Sequence, residues 1–192
     1  MMNLLKFLGI FGLMLSMISG CQTINKSKQK VTSILHPSDK APEIDKKGSV
    51  DVSKTTQEQM DKLAANMPIG QWVYIENEAQ GIYKLQNKAQ DGALLFMRLN
   101  CKSANQKQGF IIQNKDGLEV LRSRDEKAGQ IQVLLDNKNY INPFEGHNAK
   151  KIEIFKTALM KAQVIKIYNA TNLYIFKNAK AELLDKAVSC RD

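Results

Sequence analysis

Residues 91–101 read DGALLFMRLNC, and this stretch decides the fold class. From Ala93 to Cys101 the side chains alternate between two faces, which is the period of a strand with one buried face. One face carries Leu95, Met97, Leu99 and Cys101, and the other carries Leu94, Phe96, Arg98 and Asn100. We expect the first face to line a core, and Cys101 to point into it.

The same two-residue period extends over the middle of the chain. Strands are predicted at Gln71–Glu76, Ile82–Asn87, Ala93–Cys101, Gly109–Gln113, Leu118–Ser123 and Gln130–Asp136. Asp91-Gly92 and Asp116-Gly117 predict type I′ turns, in which both central residues have positive φ. Strands on either side of these turns should therefore be antiparallel neighbours.

Helices are predicted at both ends of this strand-rich region. Thr55 and Glu58 form a capping-box pattern, and Pro68 ends the helix that follows. In the last third we predict a helix from Ile152 to Ala162, a hairpin of Val164–Tyr168 and Leu173–Phe176, and a final helix capped by Asn178 and running to Cys190. The expected fold is a single α+β domain over residues 55–192, with two or three helices and a mainly antiparallel sheet. A β-sandwich is an alternative arrangement of its strands.

The N-terminus has the layout of an export signal. Lys6 is followed by an apolar run shorter than the roughly 20 residues of a membrane-spanning helix. The run ends in Ile18-Ser19-Gly20-Cys21, which resembles the lipobox of bacterial lipoproteins. This resemblance implies removal of residues 1–20 and attachment of acyl chains, such as palmitate, to Cys21; the alternative is an ordinary signal peptide with an incidental cysteine. In that family, Gln22 after the cysteine implies sorting to the outer membrane, facing the periplasm, with the cell surface left open.

Residues 21–54 are predicted to be a lipidated flexible tether. They are rich in Lys, Ser, Asp, Thr and Gln and contain Pro37 and Pro42. Such a composition buries too little apolar surface to offset the entropy of ordering. Basic residues early in this segment should lie against anionic headgroups of the membrane that holds the anchor.

With Cys21 assigned to lipid, Cys101 and Cys190 remain as a pair. The periplasm is oxidising, so the two thiols are predicted to form a disulfide. A catalytic or metal-binding cysteine would instead need a nearby histidine or further thiols. We therefore favour a structural disulfide over a reactive site.

The charge balance points to anionic partners. The chain has 28 basic and 19 acidic residues and a net charge of +9, which falls to +8 when the signal segment removes Lys6. This charge favours contact with anionic lipids, acidic polymers or an envelope protein, although solubility alone would also account for it. Nucleic acid is disfavoured because an exported protein does not meet it.

One loop contains the histidine of the predicted domain, in the sequence Asn142-Pro143-Phe144-Glu145-Gly146-His147-Asn148. A hydrolytic triad would also need an activated nucleophile, and zinc would need three nitrogen or sulfur ligands. We expect no cofactor, no metal and no catalytic residues. Several aromatic and polar residues could either pack in the fold or line a binding groove. They are Trp72, Tyr74, Tyr140, Phe144, Glu145 and His147.

Several segments between residues 93 and 190 occur in a familiar order. They are Leu99-Asn100-Cys101, Leu134-Leu135-Asp136, Phe155–Ala162, Val164–Tyr168 and Phe176–Cys190. Their order resembles periplasmic β-rich proteins that include the type VI secretion accessory protein called VasI or TagO and, more loosely, IalB-type proteins. The resemblance implies that a cysteine on a middle strand pairs with one near the C-terminus. A glycine usually follows the phenylalanine of the last motif, whereas Lys177 follows Phe176 here.

These patterns lead to a functional hypothesis. We expect a non-enzymatic lipoprotein that serves as a binding or accessory module for an envelope component or a secretion apparatus. One alternative is a cell-wall enzyme acting on glycan or peptide through Glu145, His147 or Asp136. Another is a lysozyme inhibitor, which the net charge of +8 opposes because lysozyme is itself cationic.

Overall fold

Two α-helices and twelve β-strands make up residues 40–191, the part of the chain that the computed structural model describes. The helices are α1 (Gln57–Asn66) and α2 (Ala149–Leu159). The strands are β1 (Ser49–Asp51), β2 (Trp72–Asn77), β3 (Ile82–Lys88), β4 (Leu94–Arg98), β5 (Asn100–Cys101), β6 (Gly109–Gln113), β7 (Glu119–Arg122), β8 (Gln132–Leu135), β9 (Lys138–Asn139), β10 (Val164–Tyr168), β11 (Leu173–Lys177) and β12 (Ala187–Val188).

The strands form three sheets, and most of their pairings are antiparallel. A six-stranded sheet has the order β1-β2-β3-β4-β6-β7, and a four-stranded sheet has the order β11-β10-β8-β9. The short strands β12 and β5 pair in parallel, as do β1 and β2. This arrangement confirms the predicted α+β class with a sandwich-like sheet core.

The main core lies between the two larger sheets and α2. Leu95 and Met97 of β4 and the following Leu99 are at most 1% exposed, as their alternation predicts. Burying each such side chain contributes about 2 kcal/mol. The other sheet and α2 complete the same core, mainly through Val133, Leu135, Ile165, Ile167, Phe176, Ile152, Phe155 and Leu159.

The predicted boundary between tether and domain, at residue 54, is wrong. Strand β1 pairs with β2, and Val50 and Val52 are only 3% and 6% exposed. They form a second apolar cluster with Leu63 and Met67 of α1 on the outer face of the large sheet. Isolated valines in a polar stretch therefore provide enough burial to order residues near 50. Residues 21–39 lie outside the described part of the chain.

The capping box of α1 is one residue later than predicted. The N-cap is Thr56, whose Oγ1 accepts a hydrogen bond from Gln59 N at 3.3 Å. Gln59 Oε1 in turn accepts from Thr56 N at 3.0 Å. Glu58, the predicted partner of Thr55, instead pairs with Lys62 on the exposed side of the helix.

Type I′ geometry occurs at a different turn from the two predicted ones. Asp136 and Asn137, between β8 and β9, have φ values of 48° and 69°. At the predicted turns only the glycines, Gly92 and Gly117, have positive φ, so these turns are not type I′. The strands that they join are nevertheless antiparallel neighbours, as predicted.

The predicted C-terminal helix is also wrong. A 3-10 helix covers Ala181–Asp185, and strand β12 follows at Ala187–Val188. Asn178 does not cap a helix, and its buried side chain instead links β2 to the end of α2. Its amide nitrogen donates to the carbonyl oxygens of Leu159 and Ala162 at 2.7 and 2.8 Å, and its Oδ1 accepts from Trp72 Nε1 at 2.6 Å.

A disulfide joins Cys101, at the end of β5, to Cys190, two residues after β12. The two Cα atoms are 5.4 Å apart across 89 residues of sequence. Cys190 is 3% exposed, and Cys101 packs against the main core. The bond fixes the C-terminal segment to the middle of the domain.

Replacing both cysteines, Cys101→Ser and Cys190→Ser, should lower the free energy of unfolding by about 4 kcal/mol, since closing a long loop restricts the unfolded chain. Urea denaturation followed by circular dichroism measures this loss. A reducing agent should weaken the wild-type protein to the same extent and leave the double variant unchanged. Equal stability of oxidised and reduced wild-type protein would contradict the prediction.

Candidate functional site

Three of the predicted groove residues are in the core rather than on a surface. Trp72 and Phe144 are fully buried, and Tyr74 is 4% exposed. Trp72 and Tyr74 are two apart in β2, so they share the inner face of the large sheet. The Tyr74 hydroxyl donates to the Ala187 carbonyl oxygen at 2.7 Å. These side chains hold the fold together, and the predicted groove does not form around them.

The rest of the predicted groove belongs to the loop before α2. Tyr140 is half-buried and packs edge-to-face on Phe155, with ring centroids 5.8 Å apart. A shallow depression of about 280 Å³ is lined by Tyr140, Pro143, Asn148, Lys150, Lys151 and Ile154. Glu145 is exposed and does not line it. The side chain of His147 lies outside the described part of the structure.

Asp136, considered for a catalytic role, has a structural one. Its carboxylate accepts hydrogen bonds from the backbone nitrogens of Gln163 and Val164, at 2.9 to 3.1 Å. Its own backbone nitrogen donates to the Val164 carbonyl oxygen at 3.0 Å. Asp136 therefore fixes the start of β10 against the turn that follows β8.

The most distinctive geometry is a fork between β3 and β4. The two strands pair from Gln86 to Lys88 and then separate. Where the strands separate, Tyr83 of β3 is hydrogen-bonded to Ser189 instead of to β4. The Ser189 nitrogen donates to the Tyr83 carbonyl oxygen at 2.8 Å, and Ser189 Oγ accepts from the Tyr83 nitrogen at 3.0 Å. Because β12 also pairs with β5, the C-terminal strand is inserted between β3 and the continuation of β4.

A crevice of about 430 Å³ opens at this fork, and we call it the fork crevice. Its lining includes the half-buried residues Tyr83, Phe96 and Ile111, of which Phe96 and Ile111 lie side by side on β4 and β6. The remaining lining comes from Gln80, Gly81, Ile82, Lys84, Leu85, Met97, Arg98, Gln113, Val188, Ser189 and Arg191.

Positive charges from separate segments converge on the fork crevice. Lys84 comes from β3, Arg98 from β4 and Arg191 from the C-terminal segment. None of the described residues that line the crevice is acidic. The crevice is therefore suited to hold a ligand that is partly apolar and partly anionic.

A smaller basic pocket of about 150 Å³ adjoins the crevice and shares Arg98 and Ile111 with it. It is lined by Arg98, Lys107, Gln108, Gly109, Phe110, Ile111, Arg122, Ser123 and Arg124. A nitrogen of the Arg124 guanidinium donates to the Gln108 carbonyl oxygen. Arg122 forms two parallel bonds to the Glu119 carboxylate, at 2.5 and 2.8 Å. Gly109 lets β6 approach β7 closely, because a Cβ there would lie 2.4 Å from Ser123 Oγ.

The chain matches a known family model. The family model described as YfjT matches residues 70–183, more than half of the 192-residue chain. The chain belongs to the YfjT family. No curated protein and no solved structure matches it. The segment matched to the YfjT family contains Arg98, Arg122 and Arg124, while β12 and Cys190 lie beyond it.

Within residues 40–191 neither helix has the length and apolar character needed to cross a bilayer. The same residues contain no group of three or more His, Cys, Asp or Glu side chains placed to hold a metal ion.

The buried phenol of Tyr74 should make the stability depend on alkaline pH. Burial, followed by the charge of Glu76, raises the pKa of Tyr74 from 10.0 to about 12. Between these values the unfolded chain releases the proton and the folded chain keeps it, so stability should fall as pH rises from 10 to 12 and be unaffected below that range. Tyrosinate absorbance should show a late titration that Tyr74→Phe removes and Tyr168→Phe retains. Titration of every phenol near 10 would contradict this prediction.

Proposed function

We propose that this YfjT-family chain is a non-enzymatic binding module, anchored in the bacterial envelope, and that the fork crevice is its ligand site. The observation that supports this most directly is the crevice itself, where half-buried aromatic and aliphatic side chains adjoin Lys84, Arg98 and Arg191. Apolar area removed from water provides affinity, and the charges select and orient an anionic group. The walls come from β3, β4, β6 and the C-terminal segment, so the site is built on strands rather than on a mobile loop.

The proposed location rests on the N-terminal sequence. Ile18-Ser19-Gly20-Cys21 resembles a lipobox, and Gln22 after it supports the outer membrane, facing the periplasm, as the destination. The Cys101–Cys190 disulfide is compatible with that compartment, since disulfides persist where the environment is oxidising. The lipid at Cys21 would be the partner that holds the module at the membrane, with residues 22–39 and their basic side chains as the link.

A narrower form of this proposal is an accessory role beside a secretion apparatus. It is supported by the resemblance to VasI or TagO and to IalB-type proteins, in which a cysteine of a middle strand pairs with one near the C-terminus. The bond between Cys101 and Cys190 has this arrangement. In either form, the chain acts by holding a component of the envelope.

The anchor can be tested by replacing Cys21 with serine. Cys21→Ser should abolish incorporation of labelled palmitate, because the acyl chains attach at the cysteine, and should release the protein from the membrane fraction. Cys101→Ser is the matched control, since it removes a cysteine that the proposal does not assign to lipid, and it should retain the label. Palmitate incorporation that is unchanged by Cys21→Ser would exclude the anchor.

The crevice can be tested without knowing the ligand. The full-length protein, extracted from the envelope of its own host and studied by native mass spectrometry, should carry a bound mass. Ile111→Trp places a large side chain in the crevice and should remove that mass. Val120→Trp, on the adjacent strand β7 and outside the lining, should retain it. A bound mass that survives Ile111→Trp would show that the ligand lies elsewhere.

A further inference from the structure

Lysine and arginine are distributed very unevenly in this chain. It contains 24 lysines but only four arginines, Arg98, Arg122, Arg124 and Arg191. All four arginines line the fork crevice or the adjoining basic pocket. Of the lysines, Lys84 and Lys107 do so. Arginine is thus confined to the fork crevice and the basic pocket, whereas most of the lysines lie outside these two cavities.

Arginine and lysine differ in what they recognise. The guanidinium group is planar, sheds water more readily than an ammonium group and presents paired donors that match two oxygens of a phosphate or carboxylate. Lysine serves for solubility and for general attraction to anions. Arginines concentrated around a pocket therefore indicate a specific oxyanion rather than a general affinity for negative surfaces.

The arrangement of these arginines distinguishes their roles. Arg98 lies where the crevice and the basic pocket meet, because it lines both. Arg124 is oriented by its bond to the Gln108 carbonyl, and both side chains are half-buried. Arg122 is paired with the Glu119 carboxylate. Arg191 lines the crevice but not the basic pocket.

The apolar half of the site indicates what is joined to the anion. Phe96, Ile111 and Arg98 share one face of the large sheet, and all three line the crevice. Ile82 is 37% exposed at the crevice, an uncovered apolar surface that a hydrocarbon chain would bury. A free inorganic anion would leave this surface in water.

We infer that the ligand is a phosphate-bearing amphiphile of the phospholipid class. Its phosphate lies among Arg98, Arg124 and Lys107, and its hydrocarbon chain lies in the fork crevice against Phe96 and Ile111. This inference rests on the proposed function, because it names the ligand class of the same crevice. No described residue that lines either cavity is acidic, which favours the entry of an anion.

Calorimetric titration of the full chain carrying Cys21→Ser tests this assignment, because that variant has no lipid of its own to occupy the crevice. The probes are dihexanoyl phosphatidic acid, dihexanoyl phosphatidylcholine and glycerol 3-phosphate. The first has both the phosphate monoester and the chains, the second has the chains with a zwitterionic head, and the third has the phosphate alone. We expect phosphatidic acid to bind roughly tenfold or more tightly than either of the others.

Charge-conserving variants locate the head group. In the same background, Arg98→Lys and Arg124→Lys should each weaken phosphatidic acid binding about tenfold, since an ammonium group cannot form the paired bonds of a guanidinium. Lys161→Arg is the control, because it conserves charge at an exposed residue that lines neither cavity, and it should retain affinity within about twofold. Circular dichroism should show that all three variants are folded. An equal loss in all three would overturn the placement of the phosphate.

The remaining outcomes separate this inference from the proposed function. Equal binding of phosphatidylcholine and phosphatidic acid, abolished by Ile111→Trp, would overturn the anion assignment and leave the crevice as the site. Equal binding of glycerol 3-phosphate would overturn the role of the chains. Failure of every probe to bind would overturn the ligand class, while the bound mass sought from the host envelope tests the crevice independently of that class.

Discussion

The insertion of β12 between β3 and β5 is the interaction on which the rest of the structure depends. The segment is short, with only two residues in strand pairing, yet it contacts several distant parts of the chain. Ser189 completes the hydrogen bonding of β3 at Tyr83, and the Ala187 carbonyl oxygen accepts a hydrogen bond from the Tyr74 hydroxyl. Val188 is 1% exposed in the main core. A two-residue strand has little stability of its own, so the adjacent disulfide is what makes this insertion persistent.

A second nonlocal constraint acts where β2, α2 and β11 meet. Asn178 follows β11 directly and satisfies the last carbonyl groups near the end of α2, at Leu159 and Ala162. It also accepts from the indole nitrogen of Trp72, which would otherwise be a buried donor without a partner. A buried amide that is satisfied in this way orients the elements relative to one another more strictly than apolar contact does. Asn178 thus joins the end of β11 to β2 of the large sheet and to the end of α2.

The features that sequence reasoning predicted are those with a local pattern. Alternation of side chains over residues 71–136 predicted the strands, and the number of cysteines left after Cys21 predicted the pairing of Cys101 with Cys190. The errors occurred where long-range pairing decides the outcome. Leu183 and Leu184 resemble a helix in sequence, but the chain must leave helical geometry at Lys186 to place β12 beside β5. The fork was unpredictable for the same reason, whereas the scarcity of arginine, visible in the sequence, would have pointed to the site.

The fork would also link binding of the proposed ligand to the stability of the C-terminal segment. Val188, Ser189 and Arg191 form one wall of the crevice, so the site exists in full only while β12 is inserted. A ligand that binds this state and not an opened one stabilises the insertion by the free energy of its own binding, as mass action requires. Conversely, the Cys101–Cys190 bond would raise the affinity for the proposed ligand without touching it, because the bond reduces the entropy that the segment loses on closing. If the fork crevice is the ligand site, oxidation of the two cysteines and ligand binding both depend on the insertion of β12.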